Sequence, residues 1–249
     1  MRLFEGLDLR LAEAKFLAAF LYARGLGVDR NLEMAHTLLR EASDAGLPSA
    51  QCLLAWLIQS DQIRNEPKSL VAHLYVKAAE GNHAAAAFNL GNLYERGELV
   101  TKDLAEAVRW YTVAANLGNS TAAVRLGELY EDGQLLPRDE SSALAWYQRA
   151  VALGDVAGHM NLARIFLKGD LGVKGDPEKA AALDKRAQEL RQTSELEQLR
   201  VLREAALHGD KQSQEILAMV YQSGSLGVAI SPKKAEYWRK KAREIVSDI

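Results

Sequence analysis

The sequence has few of the residues that form disulfide bonds or bind metals. Its 249 residues include one cysteine, Cys52, and five histidines. A single cysteine excludes an internal disulfide and a zinc site built from cysteines. The histidines stand at no recognised metal-ligand spacing, and the motifs Gly-x-Ser-x-Gly and Gly-x4-Gly-Lys-Ser/Thr are missing. We therefore predict no metal, no cofactor and no catalytic residues, which leaves an enzyme such as a hydrolase as the least favoured class.

Charge of one sign and long apolar runs are also lacking. The chain carries 31 Lys and Arg against 33 Asp and Glu, a formal net charge of −2, and this balance predicts no nucleic-acid binding. No run approaches the roughly twenty apolar residues of a membrane span. Glu5, Asp8, Arg10 and Glu13 interrupt the N-terminal segment, which therefore does not resemble a signal peptide. We expect a cytoplasmic protein without membrane contact, or a secreted or periplasmic one if a signal peptide has been removed.

What the chain does have is an internal repeat. The stretch FNLGNLYERG from Phe88 returns as VRLGELYEDG from Val124, thirty-six residues later. At this period a Leu-type position recurs, with a small residue directly after it and a bulky or aromatic residue four positions on. Spacings of three and four residues place these side chains on one face of a helix, which we call helix A. The Leu-type column consists of Ala18, Leu54, Leu90, Leu126 and Leu162.

A second helix, helix B, follows each helix A after a glycine turn. Good N-cap residues (Asn31, Asp103, Asp139, Asp176) stand four positions before an alanine. The segment 47–81 has Asp61 where helix A should end in glycine, and Pro67 in the N-cap column. We therefore expect a different loop there but a preserved helix pair. The predicted units are approximately 11–46, 47–81, 82–118, 119–154, 155–191 and 211–246.

The period breaks after Phe166, because the next matching aromatic residue is Tyr221. We predict an extra helix over 194–208, with a break near Arg191–Ser194 and a capping box between Ser194 and Glu197. A single long helix from Pro177 to about His208 is the alternative, because neither glycine nor proline intervenes.

The combined pattern A-x3-LG-x2-Y-x2-G, then D-x3-A-x2-WY-x2-A and a final glycine, resembles the Sel-one-like repeat (SLR) family, a relative of the tetratricopeptide repeats. The resemblance implies an all-α fold, a right-handed α-solenoid of about six antiparallel helix pairs forming a single domain. Such proteins are typically scaffolds in protein complexes and share no catalytic residues. The expected function is thus a non-enzymatic scaffold or adaptor, possible roles being a bacterial adaptor, chaperone or immunity-type inhibitor.

In an α-solenoid, helix A lines the curved inner surface where partners usually bind. Side chains two positions before and after the Leu-type column should point inward. We expect them to form a concave groove for an apolar peptide or amphipathic helix, with Glu128 and Arg164 orienting its polar part. The alternative is that they pack against neighbouring helices. The predicted protein-binding residues are Phe16, Phe20, Cys52, Trp56, Phe88, Asn92, Val124, Glu128, Met160 and Arg164.

The two ends of the chain differ in character. Leu3, Phe4 and Leu7 either cap the first helix or form an association edge, so a structural protein that assembles end to end is the alternative function. The last helix carries Lys240, Lys241 and Arg243. These side chains form a solvated cap or, alternatively, a weak site for an acidic partner.

Overall fold

The computed structural model describes the backbone of residues 2–244 and the side chains of residues 9–243. Over that backbone the chain forms twelve α-helices and no strand. The odd-numbered helices are the predicted helices A and the even-numbered ones the helices B, which confirms the predicted all-α fold of about six helix pairs. The bounds are α1 Arg2–Arg24, α2 Leu32–Asp44, α3 Pro48–Gln59, α4 Leu70–Glu80, α5 Ala84–Arg96, α6 Leu104–Asn116, α7 Ser120–Asp132, α8 Glu140–Ala152, α9 Val156–Lys168, α10 Pro177–Leu207, α11 Lys211–Ser223 and α12 Pro232–Glu244.

The helices group into two compact units, which divide between Ala180 and Ala181 inside α10. In the first unit each helix from α1 to α8 contacts the next one along the chain. In the second unit α11 packs against α12, and the core there includes Leu217 and Tyr221. That all repeats form a single domain stays a prediction.

The predicted capping residues form the helix ends. The Asp103 carboxylate accepts a hydrogen bond from the backbone N–H of Glu106 at 3.0 Å, and the Asn31 side chain accepts one from Met34 at 2.9 Å. These bonds satisfy donors that the first helical turn leaves free. At the end of α5, Gly97 has a φ of 71°, a left-handed conformation that glycine adopts without steric cost. Local chemistry therefore explains the helix–turn–helix unit.

The second segment keeps its helix pair with a different loop, as predicted. Asp61 adopts the left-handed conformation, with a φ of 56°, at the position where other segments have glycine. Ile63 in the following loop is buried and anchors it. The helix α4 begins at Leu70 after the N-cap residue Ser69, so Pro67 does not cap it.

The predicted break near Arg191–Ser194 is wrong, and so is the separate extra helix over 194–208. One continuous helix, α10, runs from Pro177 to Leu207, as the alternative stated. Ser194 does not cap a helix but accepts a hydrogen bond from Gln198 inside α10. Ion pairs one turn apart stabilise the helix on both sides of this point. They join Arg186 to Glu189 at 3.1 Å and Arg200 to Glu197 at 2.7 Å.

Glycine at the small position of helix A permits close packing against helix B. A Cβ atom added to Gly91 would lie 2.6 Å from Cδ1 of Tyr111, and one added to Gly127 would lie 2.6 Å from Cε1 of Tyr147. Each tyrosine ring thus lies directly on the backbone of the helix A in its own repeat. This contact places the two hydroxyl groups beside polar residues of helix A.

Candidate protein-binding surface on helix A

The ten predicted residues lie on the helices A of the first unit, and we call them the helix A surface. They differ in accessibility. Trp56 and Met160 are exposed by 43% and 48%, whereas Cys52 and Val124 are buried. A partner can therefore reach the first two side chains but not the last two, which pack in the core. The half-buried members are Phe16, Phe20, Phe88, Asn92, Glu128 and Arg164.

The aromatic members of the helix A surface have different surroundings. The Phe88 ring packs against Tyr111 with 5.7 Å between the ring centroids. The guanidinium group of Arg24 lies 5.6 Å from the centre of the Phe20 ring, within range of a cation–π interaction. Both phenylalanines are thus partly covered by their own chain. Trp56 keeps the larger exposed area, which is costly unless a partner covers it.

Cys52 is a packing residue of this surface. Burial disfavours the charged thiolate and raises the pKa of the Cys52 thiol to about 12. At neutral pH the side chain is therefore a protonated thiol of low reactivity. Cys52 thus fits the stated alternative, in which the inward-pointing side chains pack against neighbouring helices.

A polar cluster joins the third repeat to the fourth. The Tyr111 hydroxyl lies 2.6 Å from the Glu95 carboxylate, to which it donates, and 2.9 Å from the side-chain oxygen of Asn92. Arg125 of the next helix A donates to the same carboxylate through Nε at 3.1 Å and also through Nη2. The remaining guanidinium nitrogen of Arg125, Nη1, pairs with Glu128 at 2.9 Å. The cluster therefore holds α5, α6 and α7 together by charge-assisted hydrogen bonds.

The ionisation of this first cluster follows from its contacts. Burial alone would raise the pKa of Glu95, but hydrogen bonds from Arg125 and Tyr111 outweigh it and lower the pKa below its ordinary value. Burial and the neighbouring Glu95 carboxylate raise the pKa of the Tyr111 hydroxyl. The carboxylate is thus ionised and the phenol protonated at neutral pH.

A second cluster repeats the arrangement one period later. The Tyr147 hydroxyl donates to Glu131 at 2.7 Å, and Nη2 of Arg164 donates to the same carboxylate at 2.7 Å. Burial, followed by the Glu131 carboxylate, raises the pKa of Tyr147. We call the sets Glu95–Tyr111–Arg125 and Glu131–Tyr147–Arg164 the two tyrosine–glutamate–arginine clusters.

The second repeat has a neutral version of this contact. The Tyr75 hydroxyl donates to the side-chain oxygen of Gln59 at 2.9 Å. In all three repeats the tyrosine follows its acceptor by sixteen residues. That recurrence is visible in the sequence, because Gln59, Glu95 and Glu131 each follow the bulky column of helix A by one residue.

The clusters change the expected role of two predicted residues. Glu128 pairs with Arg125, and Arg164 pairs with Glu131. Both side chains thus already have ionic partners within the protein. Their charges are available to a ligand only as half-exposed ion pairs at the edge of the helix A surface.

Other polar sites lie away from the helix A surface. His36 contacts Glu66 at 2.9 Å beside a cavity of about 260 Å³ that Asn65 also lines. Among the side chains of residues 9–243, no group of three or more His, Cys, Asp or Glu is arranged to hold a metal ion. Across the described part of the chain, no helix is both long and apolar enough to span a membrane.

Of the two sites predicted at the ends of the chain, the structure describes the side chains of the C-terminal one. The side chains of Leu3, Phe4 and Leu7 lie outside the described residues. In the second unit, a cleft of about 640 Å³ runs beside α12 and is lined by Arg239, Lys240 and Arg243.

Solved structures share this architecture. A Sel1 repeat protein from Oxalobacter formigenes is 27% identical, with a TM-score of 0.62 over 93% of this chain and 84% of that one. A protective antigen of uropathogenic Escherichia coli with an SLR fold, c5321, is 26% identical, with a TM-score of 0.66 over 94% of this chain and 54% of the other.

Curated relatives match a shorter stretch. The "DAP3-binding cell death enhancer 1" proteins of Rattus norvegicus and Mus musculus are each 35% identical over 81 residues, which is 32% of this chain. The match spans only 16% of the length of these relatives.

The family comparison covers more than half of the chain. The Sel1 repeat model matches residues 12–47, 84–119, 120–155, 156–187 and 211–244. The segment between the first two matches is the one whose loop departs from the pattern. The predicted resemblance is confirmed: the chain belongs to the Sel1 repeat family, whose members are generally scaffolds for protein–protein interaction.

Proposed function

We propose that this chain is a non-enzymatic scaffold or adaptor that binds a protein or peptide on the helix A surface, with Trp56 as the central anchor. The observation that carries the proposal is the 43% exposure of Trp56 on a helix A of the repeat family. Tryptophan is enriched among the residues that dominate protein interfaces, because it buries a large area with few rotatable bonds. A partner that covers Trp56 would bury this apolar surface and gain binding free energy from it.

The surroundings of Trp56 indicate the chemistry of the partner. Phe88, on the helix A of the next repeat, adds half-buried aromatic surface. Further along the chain the Arg125–Glu128 ion pair, with side chains exposed by 35% and 45%, supplies both charge signs. An amphipathic helix or an apolar peptide with polar flanks fits an apolar area that is followed by a charged one. Its apolar side chains would cover Trp56 and Phe88.

The comparisons support the class of function and leave the partner to experiment. The name of the rodent relatives says that those proteins bind DAP3, which favours protein binding for this chain as well. The two solved structures come from bacteria, which favours a bacterial adaptor, chaperone or immunity-type role. A cytoplasmic location stays a prediction.

Site-specific photocrosslinking tests the proposal. A photoreactive amino acid replaces Trp56 in one variant and Tyr237, an aromatic residue of α12 with 52% exposure, in the control. Both are irradiated in native lysate, and adducts are identified by mass spectrometry. We expect a discrete adduct at position 56 that the control at position 237 does not form. Identical adducts at both positions, or none at position 56, would contradict binding on the helix A surface.

A further inference from the structure

The first helix A exposes a face that later helices A bury. Leu21 is exposed by 41%, whereas the equivalent Leu57, Leu93 and Ile165 are buried to 1% or less. Ala14, seven residues before Leu21 and on the same face, is also exposed although its equivalents in the next repeats are fully buried. Both positions on the first helix A therefore lack the cover that their counterparts have.

The cover in the later repeats is the preceding helix B. Gly158 is the equivalent of Ala14 in α9, and a Cβ atom added to it would lie 2.6 Å from the Cβ of Ala150 in α8. The helix pairs α2–α3, α4–α5, α6–α7 and α8–α9 make this type of contact throughout the first unit. Within the described residues α1 has no preceding helix to play this part.

The uncovered face of α1 carries exposed leucines, with Arg10, Glu13 and Arg24 on the same side of the helix. Leu17, exposed by 60%, lies between Ala14 and Leu21 on the same stripe, and Leu9 and Leu11 are exposed on the flanks. A contiguous set of exposed leucines is unusual on a monomeric protein and commonly marks an association surface.

The last helix B matches this face only in part. The column of Ala150, which lies against Gly158 of the next helix A, continues in α12 as Ala242, and the adjacent column of Ala79 and Ala115 continues as Arg243. Head-to-tail stacking would therefore place a cation beside the leucines of α1. The end-to-end assembly considered from the sequence stays a prediction.

We propose that the face of α1 formed by Ala14, Leu17 and Leu21 binds a second copy of this chain, with the two α1 helices antiparallel around a twofold axis. Self-association suits a face that is apolar and self-complementary. Placing Leu17 opposite Leu21 of the other copy brings Glu13 next to Arg24 of that copy. Because of the twofold symmetry, this charge pair would occur twice in the dimer.

Helix geometry supports the same register. Glu13 and Arg24 are eleven residues apart, close to three helical turns, so both lie on the stripe that contains Leu17. The contact between Arg24 and the Phe20 ring already holds the guanidinium group near this stripe. The small side chain of Ala14 allows the helices to approach closely.

Sedimentation velocity of the full chain over a wide concentration range tests the proposal. We expect the wild-type protein to be a dimer and the double variant Leu17→Glu, Leu21→Glu to be a monomer, with a dissociation constant raised by about a hundredfold or more. The matched control is Leu167→Glu, which changes a leucine of α9 with 64% exposure and should leave the dimer intact. A wild-type protein that sediments as a single chain at every concentration overturns the proposal.

A charge-swap series tests the antiparallel register and does not introduce charge at the leucines. Glu13→Arg and Arg24→Glu should each weaken the dimer about tenfold, and the double swap should restore it. Far-ultraviolet circular dichroism establishes that each variant is folded. If the double glutamate variant loses its helical signal, the charge swaps decide the question. A double swap that is as weak as the single variants overturns this arrangement of α1.

Discussion

The second and third repeats use the same helix positions for different purposes. In the third repeat, the side-chain oxygen of Asn92 lies 2.9 Å from the Tyr111 hydroxyl, and the following repeats place Glu128 and Arg164 at this position in ion pairs. In the second repeat the position is Trp56, which is exposed. The regular repeats thus use this position for internal polar contacts, whereas in the irregular repeat the side chain at this position is exposed.

The acceptor of the tyrosine hydroxyl differs in the same way. Glu95 is a carboxylate that also binds Arg125 of the next repeat, whereas Gln59 is neutral and serves Tyr75. A charged acceptor therefore links three helices. The comparison teaches that internal polar contacts and the proposed anchor for a partner occupy equivalent positions of different repeats.

The largest expected effect comes from overfilling the contact between helix A and helix B in the third repeat. Gly91→Leu should lower the free energy of unfolding by about 3 kcal/mol, because even a Cβ atom would lie 2.6 Å from the Tyr111 ring. Chemical denaturation followed by circular dichroism measures the change. In the second repeat, the equivalent Ala55→Gly should cost only about 1 kcal/mol. Wild-type stability of Gly91→Leu would refute the assigned contact.

The next effect breaks the charged cluster of the third repeat. Glu95→Gln should destabilise the protein by about 2 kcal/mol, because the half-buried Arg125 loses its main counter-ion. The matched change Gln59→Glu places a carboxylate in the second repeat and should alter stability by less than about 1 kcal/mol. If the two variants changed the free energy of unfolding equally, the ion pair of Arg125 with Glu95 would not be the cause of the difference between the repeats.

The same comparison has a pH dependence. The pKa of Glu95 is lowered in the folded protein, so its stabilising contribution is present above the ordinary value of 4.5 and is lost as the pH falls through the folded pKa. The stability difference between wild type and Glu95→Gln should therefore shrink as the pH falls below 4.5. Denaturant titrations at several acidic pH values measure it. A difference that stays constant would contradict the ionised cluster.

Much of the fold was predictable because it depends on local chemistry. The N-caps at Asn31 and Asp103 and the left-handed Gly97 follow from residue types at fixed spacing. The continuity of α10 was predicted only as the alternative, because Ser194 and Glu197 have the residue types of a capping box. In the structure, ion pairs such as Arg186–Glu189 favour the continuous helix instead.

The site was less predictable because it depends on distances between repeats. Arg125 and Arg164 pair with equivalent glutamates but occupy different columns of helix A, so alignment of the repeats does not reveal their shared role. The burial of Cys52 and Val124 likewise depends on how neighbouring helices approach one another.

The smallest expected effect on stability separates two of the four aromatic residues of the helix A surface, Trp56 and Phe88. Trp56→Ala should cost less than about 1 kcal/mol because the side chain is already 43% exposed. Phe88→Ala should cost about 2 kcal/mol because the ring packs on Tyr111. Thermal unfolding of both variants gives the order. A Trp56→Ala variant that is the less stable of the two would assign Trp56 to the core.

The central claim is that the exposed face of the second repeat binds the partner. Affinity capture from native lysate with quantitative mass spectrometry tests it most directly, with folded wild type, Trp56→Ala and Tyr237→Ala compared side by side. The account predicts a protein that wild type and Tyr237→Ala retain equally and that Trp56→Ala loses. Equal retention of every captured protein by all three baits would contradict it and would move binding away from the helix A surface.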